Sequence, residues 1–131
     1  MSKDIDNKGK RILLVDDEPD VIYTIKRVLE NIGFIVDSYD DPILTLTNFK
    51  PGSYDLILLD IKMPNMNGFD LYERIKEIDR NVKTCFLTAS ELFYEEYRKL
   101  SVHTALEKEY FIQKPCRSEE LIHQLNEILN S

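Results

Sequence analysis

Four apolar runs in this chain each end in residues able to do acid–base or phosphoryl chemistry. Leu13-Leu14-Val15 leads into Asp16-Asp17-Glu18, and Leu56-Ile57-Leu58-Leu59 into Asp60. Thr84-Cys85-Phe86-Leu87 leads into Thr88-Ala89-Ser90, and Tyr110-Phe111-Ile112-Gln113 into Lys114-Pro115. Carboxylates packed together raise one another's pKa unless a cation intervenes. Oxygen-only ligands at that density suit a hard divalent ion, Mg2+ with several waters retained. A lysine facing the same point offers fixed positive charge to an anion's oxygens, and the Thr88 hydroxyl offers a donor. Metal, lysine, hydroxyl and a carboxylate nucleophile together make a phosphoryl-transfer site. Plainer readings stand beside this one. Asp17 and Asp20 also suit helix N-caps, and a lone lysine such as Lys114 is more often a solvated one.

What decides between these readings is whether the four run ends meet. Strand-like and helix-like segments alternate along the chain. Arg11 to Val15, Phe34 to Val36, Leu56 to Leu59, Thr84 to Leu87 and Tyr110 to Gln113 read as strands. Such short, nearly continuous apolar runs belong to strands covered on both faces. Between them lie helical stretches. One opens at Pro19-Asp20, with Val21, Ile25, Val28, Leu29 and Ile32 on one stripe and Gly33 as its stop. A short one runs from Pro42 to Phe49 with Ile43, Leu44 and Leu46. Phe69, Leu71, Tyr72, Ile75 and Ile78 mark a third, and Glu91 to about Leu100 a fourth. Ser118 is the expected cap of the last, with Glu119 and Glu120 in its first turn and Leu121, Ile122, Leu125, Ile128 and Leu129 facing inward.

Five β-α units imply an α/β fold with a parallel sheet and helices on both faces. The right-handed crossover rule favours the flavodoxin-like, doubly wound order 2-1-3-4-5, with five flanking helices. Ligands in such sheets collect at the carboxyl ends of the strands near the switch point. All four run ends then share one rim. Residues 1–10 are polar and charged, and are expected to be a disordered tail before one domain over 11–131. No repeat, low-complexity tract or linker interrupts that domain, and because one helix follows the fifth strand, no output domain is expected.

The 131 residues are 43% hydrophobic, enough for a core without disulfides or structural metal. No segment approaches the roughly 18 consecutive apolar residues of a membrane helix, and none resembles a secretory signal. A cytoplasmic location without membrane insertion is expected. The 17 basic and 24 acidic residues leave a net charge of −7, which argues against direct nucleic-acid binding. Cys85 and Cys116 have no CxxC spacing and read as buried or incidental thiols. His103 and His123 are too isolated for a metal cage.

From Ile12 to Leu129 the sequence resembles the receiver domains of two-component response regulators. The motifs that carry the resemblance are Ile-Leu-Leu-Val-Asp16-Asp17-Glu18, Leu-Leu-Asp60-Ile-Lys-Met-Pro64-Asn-Met-Asn-Gly68, Phe-Leu-Thr88-Ala89 and Ile-Gln-Lys114-Pro115. The resemblance implies that Asp60 is the phosphoacceptor and that a histidine kinase or phosphotransfer protein supplies the phosphoryl group. It implies Mg2+ held by Asp17 and Asp60, by Asp16 through water, and by the backbone carbonyl of Lys62. Lys114 would contact the phosphoryl group, beside a cis Lys114-Pro115 bond. Thr88 would move toward it, and Phe111 would rotate into the space so vacated. Signalling would pass through the face of the fourth helix, fifth strand and final helix to a downstream protein effector, with a phosphorylation-dependent dimer left open. On this reading the chain is a signalling phosphoacceptor that assists its own phosphorylation and dephosphorylation, not a turnover enzyme.

The sequence departs from the family at three places. Phe111 stands where tyrosine is frequent, Leu106-Glu-Lys-Glu-Tyr-Phe111 lacks the usual Gly-Ala pair, and Cys116 replaces a bulky apolar residue. Other classes fit less well. A haloacid-dehalogenase-type phosphotransferase wants a second aspartate where Lys62 stands. A flavin module wants a Ser/Thr/Gly-rich phosphate loop where Asp16-Asp17-Glu18 would repel the ligand. An unphosphorylated receiver-like scaffold usually lacks one of the acidic residues or the lysine, and here all are present.

Overall fold

The computed structural model describes residues 8–88, 111–114 and 117–130. In chain order the elements are β1 (Arg11–Val15), α1 (Pro19–Asn31), β2 (Ile35–Tyr39), α2 (Pro42–Asn48) and β3 (Leu56–Asp60). They continue with α3 (Gly68–Ile78), β4 (Lys83–Thr88), β5 (Phe111–Gln113) and α4 (Ser118–Leu129). All strand pairs are parallel and the order is β2-β1-β3-β4-β5, the order expected from the sequence. Four helices stand among the described residues. The helix expected over 91–100 lies outside them, as do Pro115, Cys116 and residues 1–7.

The apolar strands split by parity, because successive side chains leave opposite faces of a pleated sheet. Ile12, Leu14, Leu56, Leu58, Cys85, Leu87 and Ile112 pack under α1 and α4 with Ile25, Leu29, Leu121 and Leu125. Leu13, Val15, Ile57, Leu59, Phe86 and Phe111 pack on the other face with Leu71 and Ile75 of α3. Both faces are covered, which explains runs without polar alternation. Cys85 is fully buried in the first layer, as its reading as a core thiol expects.

Several local expectations need correction. β2 starts one residue later than the expected Phe34–Val36 and ends three later, at Tyr39, because its register matches all of β1, from Arg11↔Ile35 to Val15↔Tyr39. Its polar Asp37 and Ser38 are tolerated on an edge strand. In α2 the residues Ile43 and Leu44 are exposed, while Thr45 is fully buried. That hydroxyl donates to the carbonyl of Asp41 at 2.8 Å, so its burial leaves no polar group unpaired. Ser118 is the first residue of α4 and not its cap; Arg117 holds the cap position without a side-chain hydrogen bond. Glu119 and Glu120 do lie in the first turn, where their charge favours the helix dipole. At the other end of α4, Lys83 Nζ donates to the carbonyls of Ile128 and Leu129, each at 3.0 Å. Carbonyls of the last turn lack the full set of intrahelical donors; Asn130 N–H also reaches that of Ile128, and the lysine bonds fasten α4 to the start of β4. Among the described residues, no helix is long and apolar enough to cross a membrane.

Candidate functional site

Parity and register bring the polar run ends together. β1 and β3 are neighbours, paired through Val15↔Leu59, so the next residue of each, Asp16 and Asp60, emerges side by side. Both continue the parity of the layer beneath α1 and α4, as does Lys114, two residues beyond Ile112. The loop backbone stays tied to the sheet here. Asp16 N–H donates to the carbonyl of Tyr39 at 3.2 Å, and Ile61 N–H to that of Leu87 at 3.2 Å. Asp16 is fully buried and Asp60 is 5% exposed.

Lys114 is the hub. Its Nζ lies 3.0 Å from Asp16 Oδ2, 3.1 Å from Glu18 Oε1 and 3.3 Å from Asp60 Oδ1. One ammonium thus faces three carboxylates, and the cluster stays short of positive charge. Burial raises the pKa of Asp16, opposed by the Glu18 N–H that donates to its Oδ1 at 2.9 Å and by Lys114. Burial is also the main reason Asp60 is pushed up to about 7, with the charge of Asp16 and a hydrogen bond with Asp17 acting the same way against Lys114. Burial pulls the Lys114 ammonium toward a lower pKa, but its bonds and charge contacts with Asp16, Asp60 and Glu18 outweigh it, and the net shift is upward.

Carboxylate oxygens of Asp16, Asp17 and Glu18 all lie within 4.8 Å of one another. Oxygen donors only, half-buried and undercompensated in charge, fit a hard divalent cation. Asp17 is not a helix cap: Glu18 holds the N-cap position of α1, without a side-chain capping bond. Lys62 stands two residues beyond Asp60 with an exposed side chain. Thr88 closes β4, paired with Gln113, and its hydroxyl lies outside the described side chains. Phe111 is buried, stacked on Phe86 with ring centroids 5.2 Å apart. Phe69 and Tyr72 of α3 meet the same Phe86 ring edge-on at 5.1 and 5.4 Å.

The sequence reading gave Glu18 no role of its own, and only its adjacency to Asp16 and Asp17 could have suggested one. Its contact with Lys114 spans 96 residues. A cavity of about 450 Å³ opens beside this pair, between α1 and α4, lined by Val21, Thr24, Ile25, Leu87 and Leu121 among others.

The profile of the response regulator receiver domain matches residues 12–126. The transcriptional regulatory protein DltR of Streptococcus agalactiae is 31% identical over 115 residues, 88% of this chain and 50% of that protein. The chain spans about half the length of the first curated relatives it matches. Among solved structures, the non-phosphorylated HemR receiver domain of Leptospira biflexa is 30% identical with a TM-score of 0.80, covering 94% of this chain and 96% of that one. The receiver domain of sensor histidine kinase PA1611 of Pseudomonas aeruginosa PAO1, which has a magnesium ion coordinated in its active-site cleft, is 26% identical with a TM-score of 0.75. That likeness covers 94% of this chain and 99% of the other.

Proposed function

The chain belongs to the response regulator receiver domain family, and on that premise we propose that Asp60 is its phosphoacceptor, charged by a histidine kinase or phosphotransfer protein. Receivers of two-component systems are phosphorylation-switched signalling domains, phosphoacceptors and not enzymes of the usual kind. The observation that carries the assignment is Lys114 Nζ bridging Asp60 and Asp16 at 3.3 and 3.0 Å, at the carboxyl ends of neighbouring strands.

A carboxylate oxygen of Asp60 attacks the phosphorus of a phosphohistidine. The new O–P bond forms as the P–N bond breaks, and the departing imidazole takes a proton from water. Lys114 then turns from its carboxylates toward the phosphoryl oxygens, a shift its three-way contact makes short. Asp16, Asp17, Asp60 and the carbonyl of Lys62 are assigned to Mg2+, in keeping with the PA1611 receiver. When bound there, the ion would supply neutralising charge for the carboxylates and the transferred group. The same positioning lets the domain assist its own phosphorylation and dephosphorylation.

Phosphorylation adds a charge near −2 and three strong acceptors. Thr88 and Phe111 are assigned to reading that change and passing it to a downstream protein partner. The seat of Phe111 against Phe86 supports an aromatic reporter already close to its inward position. Residues 11–131 are assigned to the receiver unit and 1–10 to a tail; a cytoplasmic location follows from this function.

Transfer from a labelled phosphohistidine domain tests the assignment. Label should reach the wild type and leave the donor, while Asp60→Asn should stay unlabelled. Equal labelling of Asp60→Asn would place the acceptor elsewhere.

A further inference from the structure

Gly68 opens α3 in a position where no other residue fits without moving the backbone of Asp60. Its N–H donates to the carbonyl of Ile61 at 2.7 Å. A Cβ built on it would overlap the Asp60 carbonyl oxygen and stand 3.0 Å from Ile61 Cα and 3.1 Å from the Asp60 carbonyl carbon. These are backbone atoms, so no side-chain rotation relieves the crowding. Unlike Gly9, Gly33 and Gly52, Gly68 does not have a positive φ. The requirement is therefore close approach and not left-handed geometry.

The far side of the same peptide is held too. Ile61 N–H bonds Leu87 of β4 at 3.2 Å, while Gly68 presses from α3. The intervening loop is drawn tight to make this possible. Asn65 adopts φ 73°, and Met66 N–H donates to the carbonyl of Pro64 at 2.8 Å across it. That three-residue turn belongs to the rare, strained kind. Asn67 steadies the start of α3 by accepting from Asp70 N–H at 2.9 Å.

We infer that Gly68 is a positioning residue for phosphoryl acceptance: it clamps the Asp60–Ile61 backbone against β4 and so fixes where the Asp60 carboxylate points. This rests on Asp60 being the phosphoacceptor. In-line transfer is sensitive to small displacements, and a misplacement near 1 Å can slow a reaction about a hundredfold.

The test measures the phosphorylation rate from acetyl phosphate across donor concentrations, with Mg2+ present. The samples are wild type, Asp60→Asn, Gly68→Ala and Ile75→Val, the last removing one buried methyl from the same helix as a stability control. Gly68→Ala should lose about tenfold or more in rate at saturating donor, with the half-saturating donor concentration little changed and Ile75→Val at the wild-type rate. A wild-type rate in Gly68→Ala, or an equal loss in Ile75→Val, overturns the inference. Phosphorylation of Asp60→Asn at the wild-type rate overturns the phosphoacceptor assignment itself, and the clamp with it. Should Gly68→Ala fail to fold, Asn67→Ala carries the test, since it loosens the start of α3 without adding a clash. A fall of about threefold is expected there, and an unchanged rate counts against the clamp.

Discussion

At Asp60, a carboxyl with an ordinary value near 3.8 is pushed up to about 7, first by burial and then by the charge of Asp16. The native state therefore binds a proton more tightly than the unfolded chain. This group's contribution to stability is fully present below the unfolded pKa and is lost as pH rises through about 7. Asp60→Asn removes the buried charge, so at pH 8 the variant should exceed wild type in urea unfolding by on the order of 2 kcal/mol. The gap should close toward pH 4; a gap that widens on acidification contradicts the sign. Lys114 acts in the opposite sense, lowering the Asp60 pKa. Lys114→Met is accordingly expected to move the Asp60 titration to higher pH, which carboxyl-carbon NMR can follow. Asp16, Asp60 and Lys114 were legible because each ends an apolar run. The contact of Glu18 with Lys114 and the close approach of Gly68 to Asp60 were not, since both depend on residues that only tertiary structure brings together.

Among the elements, the strands were legible and the faces of short helices were not. A strand covered on both sides writes itself as an unbroken apolar run, as in β3, where all five residues are buried. α2 has seven residues with apolar side chains on more than one side, so sequence alone could not choose its inward face, and tertiary packing buries Thr45 in place of Ile43 and Leu44. β4 carries a polar misfit as well. Thr84 Oγ1 is buried with no hydrogen-bond partner, the arrangement that penalises a core. Thr84→Val should raise stability by about 1 kcal/mol, measured by urea unfolding; a loss of stability would mean that the hydroxyl is satisfied in solution. Lys83, one residue earlier, holds the end of α4. Lys83→Met keeps the aliphatic stem but leaves two helix carbonyls without their charged donor. It should cost about 1–2 kcal/mol and speed amide exchange in the last turn of α4.

Over the whole molecule, the strand order β2-β1-β3-β4-β5 brings the separated ends of β1, β3 and β5 into one acidic rim, with Lys114 among its carboxylates. That convergence was foreseeable because handedness and crossover rules leave few arrangements of five β-α units. On the proposed Mg2+ assignment, the crowding of Asp16, Asp17 and Glu18 in the folded state would make it a better ligand for the ion than the unfolded chain, where those carboxylates are free to separate. Mg2+ at a hundred times its dissociation constant should therefore add about 2.7 kcal/mol to unfolding stability, an increment that vanishes on chelation. The central claim is that this rim performs aspartyl phosphorylation, and intact mass after incubation with acetyl phosphate tests it most directly. One phosphoryl group should appear on the wild type with Mg2+, and none without Mg2+ or in Asp60→Asn. An adduct that persists in Asp60→Asn, or a wild type that binds no Mg2+ and is never modified, would contradict it.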